Sequence, residues 1–128
     1  KTLEGLGIGS HKLTNDMIAN GATLVPIEDA DLLAEFMDWN NCLSLGLQSQ
    51  NALTKIYDSF TNVDKKRNEH IACRLEESLG KDEIGLLFMR EGHKIQFPLD
   101  IQVFYVSPPG LNDIKRWLRD QEISKDAP

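Results

Sequence analysis

The sequence predicts an α/β domain, with a small, mostly parallel three-stranded sheet flanked by helices and one long or broken helix. Three observations predict it. Short apolar runs over 22–25, 84–89 and 101–106 are too brief for helices of their own. Turn formers bound them: Gly21 and Pro26, Lys81-Asp82-Glu83, Pro98-Leu99-Asp100 and Ser107-Pro108-Pro109-Gly110. Helical segments separate the first two, the second and third follow each other directly or with a helical turn near Lys94 between them, and strands alternating with helices favour parallel pairing through right-handed crossovers. At 128 residues the chain reads as one domain, residues 1–128.

The elements follow in order. Gly5, Gly7 and Gly9 do not match the spacing of a dinucleotide loop, so 1–12 reads as a flexible leading segment. Thr14 is placed to cap a helix to about Asn20, stopped by Gly21. Ala22-Thr23-Leu24-Val25 is the first strand. Asp29 is placed to cap the next helix, whose seam runs Leu32, Phe36, Trp39, Leu43, then Leu53, Tyr57 and Phe60. That seam is either one helix of about 30 residues or two, broken near Ser44-Leu45-Gly46. A further helix starts at Asn62 or Asp64, carries Ile71, Ala72, Leu75 and Leu79, and ends at Gly80. Ile84 to Met89 is the central strand, covered on both faces, and Ile101 to Val106 is the third. A last helix runs from Asn112 to about Glu122, leaving 123–128 as a frayed tail.

Composition narrows the function. Twenty acids against 14 Lys and Arg give a net charge of −6, which argues against a nucleic-acid partner. No run of about 20 apolar residues exists to span a membrane. Cys42 and Cys73 belong to no C-x-x-C pair, so they read as reduced thiols of a cytoplasmic protein. His70 lies three residues before Cys73, which keeps a nucleophilic thiol as a lesser option. The start at Lys1 reads as a fragment of a longer protein.

In parallel sheets, ligands gather beyond the C-terminal strand ends. That rule brings Glu28, His93 and Ser107 to one edge. Glu28 and His93 there are the candidate catalytic pair and the candidate ligands of a divalent metal. Ser107 is a candidate ligand-binding residue. Arg67, His70 and Arg74 share one column of a helix. The two guanidinium groups border its apolar stripe, where they suit a small anionic ligand, or internal acids such as Glu28.

Arg67-Asn68-Glu69-His70-Ile71-Ala72-Cys73-Arg74-Leu75, with Leu86-Leu87-Phe88-Met89-Arg90-Glu91-Gly92-His93, resembles the closing, C-terminal half of TraB/GumN/Tiki-type domains. Gly21 to Val25 with the acids that follow resembles a related uncharacterised prokaryotic group. The first resemblance covers about 27 residues, and Arg90-Glu91 stand where that family has Gly-Ala. It implies metal-dependent hydrolysis, with Arg67, Asn68, Arg74 and His93 as the residues carried over.

Two functions are therefore expected. The first is a small-ligand-binding or regulatory domain of a cytoplasmic prokaryotic protein, self-associating as a homodimer through the 30–60 helical region. The alternative is the remnant of a metal-dependent hydrolase working through His93 and Glu28.

Overall fold

The computed structural model describes residues 9–125, with side chains described as far as residue 121. Among the described residues there are four α-helices and no strand: α1 (Gly9–Ala19), α2 (Ala30–Leu43), α3 (Gln50–Ser78) and α4 (Leu111–Lys125). The expected α/β sheet is therefore absent among them. The runs 22–25, 84–89 and 101–106 lie outside any regular element, and none joins a ladder. The reason is physical. Apolar content reports that a segment fits a pleated, half-buried surface, and a strand also needs a neighbour to bond. The chain forms two compact units, Lys1–Pro98 and Leu99–Pro128, described separately below.

In the first unit, α1 starts earlier than expected. Thr14 does not cap it. Its hydroxyl donates to the Ser10 carbonyl at 2.8 Å, back-bonding inside the helix. Residues 9–12 thus belong to α1, and the remainder of the expected leading segment lies outside the described residues. Gly21 follows with φ 97, a conformation that L side chains rarely adopt.

Asp29 caps α2 as its position before an apolar seam implies. Its carboxylate accepts from the Asp31 and Leu32 amides at 3.0 and 2.9 Å. The helix stops at Leu43, where Gly46 takes φ 65 in the connection. Ser49 then caps α3, accepting from the Ala52 amide at 3.2 Å. Of the two readings of the long seam, the broken one holds. The fresh helix start at Asn62 or Asp64 does not occur, because α3 runs through both without interruption. No Gly or Pro stands between Gln50 and Ser78 to stop it. Thr61 is accommodated by donating to the Tyr57 carbonyl at 2.8 Å.

Helices α2 and α3 pack together as an antiparallel hairpin. Phe36 meets Phe60 with ring centroids 5.1 Å apart, and Glu28 meets Arg67. The two pairs straddle the 44–49 connection almost symmetrically, as antiparallel neighbours must. At 1.5 Å per residue, α3 spans about 43 Å and is longer than α2 by about four turns. Its buried stripe includes Val63 and Ile71, and Ile95 from the later segment is the third buried apolar side chain among the described residues.

Leu79 ends α3. The Gly80 amide donates to Glu83 Oε2 at 2.7 Å, and Asp82 at φ 63 completes the turn. Beyond it, 84–89 shows an alternating pattern of exposure. Ile84, Leu86 and Phe88 are exposed, at 99%, 50% and 47%, while Leu87 and Met89 are half-buried. The expectation of a central strand covered on both faces is thus corrected.

In the second unit, Ile101 and Val103 are half-buried, and Phe104, Tyr105 and Val106 are exposed. The Leu111 amide donates to the Pro108 carbonyl at the start of α4. That helix covers the expected span, with Ile114, Trp117 and Leu118 all exposed. The expected frayed tail lies partly within α4, which reaches Lys125, and its last three residues are outside the described part. No helix among the described residues is long and apolar enough to cross a membrane.

Candidate functional site

The strongest polar constellation lies on the hairpin. Arg67 occupies a position in the middle of the α3 seam, four residues from Val63 and four from Ile71, both buried. A charge there must be matched. Glu28, just before the cap of α2, supplies the match in a fork. Arg67 Nε donates to Glu28 Oε2 at 2.9 Å, and Nη2 donates to Oε1. The guanidinium also lies over the Phe36 ring, 4.8 Å from its centroid, and Phe36 in turn packs on Phe60. The Arg67 side chain is only 18% exposed. An arginine suits this place because its planar fork satisfies both carboxylate oxygens while its face rests on an aromatic ring.

This arrangement takes up the internal-acid option for Arg67. Arg74 pairs elsewhere, donating to Glu77 at 3.0 Å one turn along α3, on a more exposed face. Arg67 and Arg74 therefore do not converge on one anion. Asn68 donates to the Asp64 carbonyl at 2.8 Å, so its amide is bonded within its own helix. Ser107 is exposed and belongs to the second unit.

His93 is half-buried and packs edge-on to Phe97 at 5.8 Å, just after Gly92 at φ 80. The strand-end rule that placed it beside Glu28 has no sheet to act on. Both Glu28 oxygens already accept from Arg67. Among the described residues no three His, Cys, Asp or Glu side chains gather as a metal ion would require.

Cys73 is exposed, and its thiol donates to Glu77 Oε1 at 3.5 Å. That hydrogen bond, with the negative charge of Glu77, raises the thiol above its ordinary value. A nucleophilic cysteine needs the opposite shift.

Sequence reasoning missed two features here. The first is the aromatic bed of Arg67. Phe36 and Phe60 were visible as seam residues, and an arginine at a seam position was the signal that one of them would lie under a guanidinium. The second is the alternation of Ile84, Leu86 and Phe88 to solvent. Its signal was the run of charges at both ends of an apolar segment.

The chain matches no protein-family model, no curated protein and no solved structure.

Proposed function

We propose that this chain is a regulatory interaction module that associates with a second copy of itself. One observation carries the reading. The segment 84–89 is apolar, exposes Ile84, Leu86 and Phe88 to solvent, and makes no backbone hydrogen bond to another segment among the described residues. Unpaired N–H and C=O groups beside exposed apolar side chains form a template for strand addition. The hairpin is suited to carry it. Its Glu28–Arg67 fork and Phe36–Phe60 contact are satisfied within the chain, which supplies a closed support beside an open edge.

Association through the 30–60 helical seam has less in its favour, because Phe36 and Phe60 of that seam pack on each other. Metal-dependent hydrolysis draws no support from Glu28, whose carboxylate is held by Arg67.

Sedimentation velocity from low to high micromolar concentration tests the reading. A boundary that moves from monomer to dimer is expected. A monomer boundary across the whole range would overturn it.

A further inference from the structure

We infer that the Asn20-Gly21 step is a self-modifying site, where the asparagine deamidates when the end of α1 opens and the product then holds that end open. Three observations carry this. The first is the pair itself. Asn20 and Gly21 are both exposed, and no other asparagine of the chain precedes a glycine. Without a Cβ, Gly21 leaves its amide nitrogen unobstructed for attack on the asparagine side chain.

The second observation is a lock. The Gly21 amide donates to the Ile18 carbonyl and the Ala22 amide to the Met17 carbonyl, both at 3.0 Å, with Gly21 at φ 97. This is the glycine-ended closure of a helix. Asn20 Nδ2 donates to the Asp16 carbonyl at 2.7 Å. The attacking nitrogen and the amide it attacks are thus both engaged, so reaction waits for the turn to open. The third observation is that the lock is weak. Helix α1 has 11 residues, none of them buried, and packs against no other helix among the described residues. A helix so short, with no covered face, is marginal in water.

The chemistry needs only water. The Gly21 nitrogen bonds to Asn20 Cγ, the Cγ–Nδ2 bond breaks, and ammonia leaves with the proton that the nitrogen gives up. Water then opens the five-membered imide at either carbonyl, giving aspartate or isoaspartate. The new carboxylate has no proton to donate to the Asp16 carbonyl, and its charge lies at the negative end of the α1 dipole. The lock therefore re-forms less well after each conversion.

The test follows the full chain in mildly alkaline buffer by peptide mass spectrometry, beside a short peptide of residues 17–23. Asn20 is expected to show the amide-to-acid mass gain ahead of every other asparagine, and more slowly than in the peptide. Asp16→Gly and Asp16→Ala keep the reacting groups and the carbonyl of residue 16 but differ in helix propensity, so the glycine variant is expected to convert a few-fold faster. In Asn20→Asp, amide exchange across α1 is expected to quicken while α3 is unchanged. An intact Asn20 once the peptide has fully converted overturns the site. Equal rates in the two Asp16 variants overturn the gating by α1. Unchanged exchange of α1 in Asn20→Asp overturns the one-way opening.

Discussion

The α2–α3 hairpin and the 84–89 segment draw on similar apolar residues and treat them in opposite ways. In the hairpin, Phe36 and Phe60 meet across a short connection, and Val63 and Ile71 are buried. In 84–89, Ile84, Leu86 and Phe88 face solvent. The difference lies in where each finds a partner. A helix satisfies its own backbone and needs only one apolar face covered, which a helix after a six-residue connection can do. An extended segment leaves its backbone groups to a neighbour, and no segment among the described residues bonds to 84–89. Hydrophobicity sets how much there is to bury, and backbone hydrogen bonding decides whether the chain can bury it alone.

Substitutions break or sharpen this contrast. The largest effect is expected in the hairpin core. Ile71→Ala should cost about 3 kcal/mol in urea unfolding, since the side chain is fully buried. Ile84→Ala should stay within about 0.5 kcal/mol in the dilute monomer, because there is nothing to uncover. Equal costs at the two sites would erase the distinction.

Next comes the ion pair. Arg67→Ala should cost about 2 kcal/mol, by stranding the Glu28 carboxylate and removing the contact with Phe36. Arg67→Met with Glu28→Leu should recover most of that loss, because neither charge then remains to be matched. Denaturation midpoints of the single and double variants measure the coupling. A double variant as unstable as Arg67→Ala would show that the pair is not the cause.

Smaller still is the cap. Asp29→Ala should cost about 1 kcal/mol, through two amides left without their carboxylate, with helix content reduced at the start of α2. The smallest effect is chemical. Glu77→Gln removes the charge that raises the Cys73 thiol, so its thiolate forms at lower pH. The alkylation rate at pH 7.5 should rise a few-fold, with the pH–rate curve shifted downward and stability nearly unchanged.

What the sequence made legible was local. Asp29 before an apolar seam announced a cap, and Leu45-Gly46 announced a break. Arg67 bordering an apolar stripe announced a guanidinium in need of an acid. The sheet was not legible, because 22–25, 84–89 and 101–106 carry the composition of strands and no information about which segment they bond. Once the sheet is gone, so is the reason for placing Glu28, His93 and Ser107 on one edge. The unbroken run of α3 through Asn62 and Asp64 was also hidden. Residues that favour helix starts are tolerated inside a helix when the packed face continues beyond them.

Hydrogen exchange followed at two protein concentrations tests the closed hairpin and open edge together. In dilute monomer, amides between Val63 and Ile71 should exchange only through global unfolding, while those of 84–89 exchange close to the rate of an unstructured chain. At high micromolar concentration, protection should appear in 84–89. Protection of 84–89 in the dilute monomer equal to that of α3 would mean the segment is already paired within its own chain, and would contradict the account.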